Sequence, residues 1–402
     1  MLNKITHGLL VLLLIELFLG GGGRLTAIGP ISLRMILFSA AIVVTIIHVV
    51  RGTRIDSKYV QLVGLFTIML IFGVVIGLIV GAEKKMLWED IKPLLFFYLL
   101  PFFSIAISKE DDLKKISKII LYTAGIMAFI FLTILCLFWT GAVKFLDFYH
   151  PMISTNEFFF RGEFSLFYKG FIYLCIGLLF AHLTGEKKLW WFIIFLFLAI
   201  VLSFTRGLIL ALGLSYVIYY SFIKRSYPKM TVALVICLVT IFYGGDFYSL
   251  LSKQLYASTF ETKSIEQEKI KEKLLGDREF SDNERKRQII QVANATTFPS
   301  AVWGHGFGVG VASRPVHMEI SYLEIFHKQG IIGIACWLII LFSLIKSYWS
   351  LPSKSGMSNA YFLAALFVFF QSLTNQYINN PIGLGMILIS IVSLDVTHKK
   401  NL

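Results

Sequence analysis

Long apolar runs without charge recur from one end of this chain to the other, and most are of a length that crosses the hydrocarbon core of a bilayer as a helix. Backbone groups inside that core must be satisfied internally, which leaves helices or a closed barrel. Barrel strands would alternate apolar and polar residues over about ten positions, whereas these runs are continuous. Helices are therefore expected. The composition agrees: 57% of the 402 residues are hydrophobic and 15% are charged, with a mean hydropathy of +0.76. A water-soluble protein of two or three domains is excluded. The expected fold is an all-α, polytopic integral membrane protein forming a single membrane domain over 1–402.

Apolar runs bounded by charges place twelve spans near 8–22, 31–50, 59–81, 90–107, 115–140, 167–183, 189–204, 206–223, 230–244, 328–349, 359–378 and 381–397. No small-residue cleavage site follows the first run, so it reads as a retained span. With a cytoplasmic N-terminus, the inner segments carry 17 Lys and Arg, and the short outer loops carry 9. The positive-inside rule then puts both termini in the cytoplasm. The three lysines Lys84, Lys85 and Lys92 on the outer side run against this bias. The net charge of +13 is spread among short loops rather than gathered on one face, so it reports topology and not nucleic-acid binding. Cys136, Cys175, Cys237 and Cys336 all lie in apolar runs; their spacing fits neither a disulfide framework nor a zinc site. Glu16, inside the first span, reads equally as a functional carboxylate or as the partner of Arg24 or Arg34.

This orientation leaves one large extramembrane segment, about 245–318, on the outside. Its first part is dense in Lys and Glu and reads as a solvated, partly helical excursion. Its later part holds Asn283-Glu284-Arg285-Lys286-Arg287-Gln288, then Gly304-His305-Gly306-Phe307-Gly308-Val309-Gly310, then His317-Met318-Glu319-Ile320-Ser321-Tyr322-Leu323, with Gly330-Ile331-Ile332-Gly333 beyond. Arginine forks suit phosphate oxygens. A glycine turn lets backbone approach a neighbour closely, and a carboxylate beside histidines can act as a base. The glycines lack the strand-then-helix setting of a dinucleotide fingerprint, and no Lys-Ser pair follows as in a P-loop. Nucleotide binding is not expected.

Ser203-Phe204-Thr205-Arg206-Gly207 at the end of one span, Arg285-x-x-Gln288 in the large loop, Gly304-x-Gly306-x-Gly308, and Glu319-x-x-Tyr322-Leu323 leading into Gly330-x-x-Gly333 follow in that order. The order resembles the O-antigen polymerase and O-antigen ligase superfamily, at motif level over about 200–340 and in topology elsewhere. The resemblance implies an inner-membrane glycosyltransferase acting at the periplasmic face. Its donor and acceptor would be undecaprenyl-diphosphate-linked oligosaccharides, with membrane lipids around it, no cofactor, no metal and no nucleic acid. A chain-length regulator and a flippase are implied as partners. Arg206 and Arg285 would bind the donor diphosphate and Glu319 would be the base. Ligases of this superfamily carry a histidine where Glu319 stands, which favours a polymerase.

Further candidates for substrate contact are Arg161, Arg287, Gly304, His305, Gly306, His317, Gln371 and Asn375. Each has a plainer reading. Arg206 could be a snorkelling arginine, 285–287 a solvated charge run, and Glu319 a helix-start carboxylate. Arg161, among aromatics, could be an interfacial anchor. Gln371, Thr374 and Asn375, read as one helical face in the eleventh span, could serve interhelical hydrogen bonds as well as a sugar-lined cavity. Other functions remain open: an O-antigen ligase, a capsule or exopolysaccharide polymerase, or a flippase or transporter, for which two related halves would be expected.

Overall fold

The computed structural model describes residues 1–29, 31–160, 166–185, 189–240, 242 and 277–400. It is a helical protein. Among the described residues, seven helices are long and apolar enough to cross a membrane: Leu2–Leu19, Leu33–Val50, Ser57–Val80, Glu110–Trp139, Arg206–Ile223, Ser321–Trp349 and Pro381–Lys399. Shorter apolar helices cover Lys169–Leu183, Trp190–Leu202, Tyr227–Thr240 and Gly356–Gln371. Large apolar side chains such as Ile68, Ile79 and Val80 on the Ser57–Val80 helix are exposed, which in water would be a liability and in lipid is the solvated face. The chain is a multi-pass membrane protein.

The helix ends follow local chemistry. Ser32 caps Leu33–Val50 by accepting from Met35 N, and Asp56 caps Ser57–Val80 through Lys58 N, each satisfying one of the orphan donors of a first turn. The expected span at 90–107 is broken. An α-helix over Lys84–Leu94 passes through a 3-10 stretch, Leu95–Leu99, into a short α-helix, Leu100–Ala106. Pro93 and Pro101 lie at the two junctions, and neither can donate to the ladder.

The eleventh span also differs from expectation. Its helix, Gly356–Gln371, stops at Gln371, so Thr374 and Asn375 are not on a helical face with Gln371. Ser372 donates to Val368 O, and its oxygen then accepts from Ile378 N. Such local side-chain bonds compete with helix continuation, and they fold 372–380 into an irregular connection rich in amides.

Two compact units can be distinguished, the first comprising 1–17, 27–119 and 283–402. Its interior is aromatic: Phe66 stacks on Phe97 with ring centroids 4.0 Å apart and meets Trp337 edge-on. Glu16 is buried and bonded to Arg34 Nε at 2.7 Å, which settles its partner between the two arginines considered. The Ser321–Trp349 helix is kinked at Gly330, whose φ of 62° and ψ of −159° are open to glycine. A Cβ there would meet Val302 O at 2.3 Å.

The second unit comprises 18–26 and 120–282. Its helices Ile172–Leu183 and Trp190–Leu202 pack together. A three-residue hairpin pairs Phe158–Phe160 with Leu166–Tyr168. The buried Glu157 carboxylate accepts from Gly22 N and Arg24 N, tying the glycine-rich 20–24 turn to this hairpin.

Candidate active site

The Asp277–Ala295 helix carries Arg285, Gln288 and Val292 at spacings of three and four, which puts them on one face. Val292 is buried with Val311 and Met318, and Leu323 and Phe326 pack on this cluster. Gln291 Oε1 accepts from Ser313 N and Oγ. These contacts fasten the helix to the 311–319 loop and set the polar ends of Arg285 and Gln288 beside Glu319.

Glu319 lies just before the Ser321–Trp349 helix, whose cap residue is Ile320; it is therefore not on a helical face with Leu323, Phe326 and Gly330. Its N–H donates to Gln288 Oε1 at 3.0 Å. Its carboxylate is gripped by two guanidinium groups, Arg285 Nε at 3.1 Å and Arg314 at 2.8 Å. The three side chains together carry one positive charge in excess, in a half-buried setting where that charge attracts an anion. Arg285 and Glu319 are thus brought together, as their motif order suggested. Arg314 escaped sequence reading because it stands alone in the Ser313-Arg314-Pro315 turn with no motif around it.

Arg206 opens the Arg206–Ile218 helix and bonds Asp282 at 3.0 Å. The turn before it is tight: Phe204 takes a φ of 49°. Arg287 is exposed and pairs with Glu284 at 2.7 Å, one turn back on its own helix. Arg161 lies outside the described residues, as does the whole charged stretch from 245 to 276.

The glycine turn packs protein against protein. Gly304 and Gly306 have φ values of 77° and 84°, and a Cβ on Gly306 would lie 2.1 Å from Gly77 N in the Ser57–Val80 helix. Phe307 N donates to Gly73 O. His305 is likewise structural: its ring nitrogens face His327 O and Ala295 O at 3.1 and 3.2 Å, and the ring stacks on His327. Gly304, Gly306 and His305 are therefore better explained by helix packing than by substrate contact.

A second polar cluster lies in the same unit. Lys328 is buried and donates to Asp90 Oδ1 and Glu324 Oε1, both at 2.6 Å, and to Val316 O. Asp90 Oδ2 accepts from Gly308 N at 2.7 Å, while Glu324 Oε2 accepts from Gln376 and Asn379. His317 Nδ1 sits 3.4 Å from Glu324 Oε1 and 3.6 Å from Asp90 Oδ1. Ligand atoms of Asp90, His317 and Glu324 lie within 4.8 Å of one another, and the Lys328 ammonium supplies positive charge to both carboxylates. Two buried carboxylates and one ammonium are tolerated because nearly every charged atom has a hydrogen-bond partner.

The amides that reach this cluster are Gln376 and Asn379, not Gln371 and Asn375. Asn375 bonds its neighbour Thr374, and Gln371 is fully buried at the end of its helix. The signal for Glu324 and Lys328 was present in the sequence: an i,i+4 acid–base pair at the head of an apolar span.

No family model matches the chain. Aligned over 415 residues, it is 26% identical to an O-antigen polymerase of Shigella flexneri, with all of this chain and 98% of that protein covered. A match that runs end to end includes the spans as well as the loops, whereas the motifs alone covered 200–340. On that full-length similarity, the O-antigen polymerase family, first suggested by the order of the motifs, is supported for this chain.

Proposed function

We propose that this protein polymerises undecaprenyl-diphosphate-linked O-antigen repeat units at the periplasmic face of the inner membrane, in lipopolysaccharide biosynthesis. The full-length similarity to an O-antigen polymerase carries the reading. The architecture proposed with it has twelve spans, with the broken Lys84–Ala106 stretch counted as one, and both termini in the cytoplasm.

In this reading a sugar hydroxyl of the acceptor unit attacks the anomeric carbon of the donor glycan. A C–O bond forms there, the bond to the lipid diphosphate breaks, and the hydroxyl proton passes to a base. The diphosphate leaves as a stable anion, so its departure calls for positive charge rather than an acid. Arg285 and Arg314 converge on one point from a helix and a loop, an arrangement matched to a diphosphate. When the arginines turn to the diphosphate, Glu319 is released from its ion pairs beside the acceptor and takes the proton. The Asp90–Glu324–Lys328 cluster holds the glycine turn and the head of the Ser321–Trp349 helix in register.

The lipopolysaccharide banding pattern of a strain lacking the protein tests this. A single repeat unit on the lipid A core, with the ladder lost and restored by complementation, is the expected result. Loss of every O-antigen unit from the core, with polymer retained on the carrier, would mean a ligase and overturn it.

A further inference from the structure

In the second unit the helix that begins at Arg206 ends in a π-helical turn, Tyr219–Ile223. Turns of this type inside helices are frequent at functional sites. Lys224 N closes the turn on Tyr219 O and Ser226 N bonds Tyr220 O. Between them Arg225 takes a φ of 47°, a left-handed conformation that costs energy for a side chain of this size. The reversal brings Lys224 and Lys229 to one cavity of about 290 Å³, lined also by His182, Tyr219, Tyr220 and Ser226. Lys229 lies 5.8 Å from the Tyr220 ring centroid. Among the described residues, no carboxylate is within ion-pair distance of Lys224, Arg225 or Lys229.

Lys224 lies 18 residues beyond Arg206, about 27 Å along a helix rising about 1.5 Å per residue; the cavity is thus one bilayer core away from that arginine. Phe222 and Tyr227, close in sequence to residues lining the cavity, are exposed, as interfacial aromatics are. Two ammonium groups, two phenols, an imidazole and a hydroxyl make a donor set for a phosphate, and apolar helices on either side suit the acyl chains attached to one. From this geometry we infer that the cavity binds the phosphate headgroup of an anionic phospholipid. This site is separate from the polymerase reading and does not rest on it.

The test uses full-length protein, delipidated in detergent, with bound lipid counted by native mass spectrometry during titration with phosphatidylglycerol. The Lys224→Gln/Lys229→Gln variant should need roughly 30-fold more phosphatidylglycerol for the same occupancy, from about fivefold per lysine. Lys114→Gln/Lys118→Gln, which removes equal charge elsewhere, should bind as wild type does. Unchanged binding by the first variant overturns the assignment, as does equal retention of phosphatidylcholine. Displacement of the lipid by millimolar inorganic phosphate would show a site for a free anion and also overturn it. Should the double variant aggregate, Tyr220→Leu with Ser226→Ala removes two donors without altering charge, and unchanged lipid binding there counts equally against the proposal.

Discussion

Glu319 is the residue on which the proposed chemistry turns. Two guanidinium groups hold its carboxylate while its own N–H is held by Gln288. Glu319→Gln keeps the shape and removes the charge. If the carboxylate takes the proton, the variant should reach the membrane at normal levels and lose polymerising activity by roughly 100- to 10,000-fold. A role confined to anchoring the loop predicts near-normal turnover, read from purified protein and lipid-linked repeat units. Arg285→Ala and Arg314→Ala should each abolish polymer, and lysine at either place should rescue poorly because it lacks the planar fork. Normal ladders at normal protein levels would remove them from the mechanism. Lys328 predicts the opposite pattern, a loss of stability. Lys328→Met leaves Asp90 and Glu324 buried without a counter-ion, a loss of about 3–5 kcal/mol. Combining it with Asp90→Asn and Glu324→Gln should recover most of the melting temperature; a single variant that melts like wild type would show that the cluster bears no load.

At the scale of elements, the long helices were legible because a run of apolar residues bounded by charges has one physical outcome in a bilayer. The expected 31–50 and 59–81 spans lie within a few residues of Leu33–Val50 and Ser57–Val80. What periodicity could not reveal was where a run breaks. Pro93 and Pro101 mark the divided stretch in hindsight, but the end of the eleventh helix at Gln371 depends on hydroxyl bonds from Ser372 that require the fold to be formed. The site was legible to the same degree. Arg285 and Glu319 share a motif order and meet; Arg314, Asp90 and Asn379 come from elsewhere in the chain and carried no local signal. The glycine turn was recognised, but its use was not. Its partners, Gly73 and Gly77, sit on a helix more than 200 residues earlier. Gly77→Val would place a Cβ about where Phe307 O now approaches, 2.2 Å away. Overpacking of this kind costs about 1–3 kcal/mol, seen as a lower melting temperature and weaker ladders. Gly64→Ala, where nothing lies within 4 Å on the same helix, should change neither. Equal behaviour of the two variants would refute the packing role.

Among the described residues, long helices present large apolar side chains on their outside, and buried charges meet an opposite charge or backbone N–H groups, which is the inverse of a soluble protein's pattern and the reason for the membrane assignment. The proposed orientation, with both termini cytoplasmic, follows from 17 inner against 9 outer basic residues. Reporter fusions at either terminus should be active with a cytoplasmic reporter and silent with a periplasmic one; the reverse would move the 283–319 constellation to the wrong side for periplasmic polymerisation. If this chain alone joins lipid-linked glycans, purified protein in proteoliposomes should polymerise one undecaprenyl-diphosphate-linked repeat unit without nucleotide sugar. Carrier-linked products of two or more repeat units are expected, with release of undecaprenyl diphosphate in step with each bond formed. Unchanged single units alongside protein of normal fold would contradict the polymerase reading.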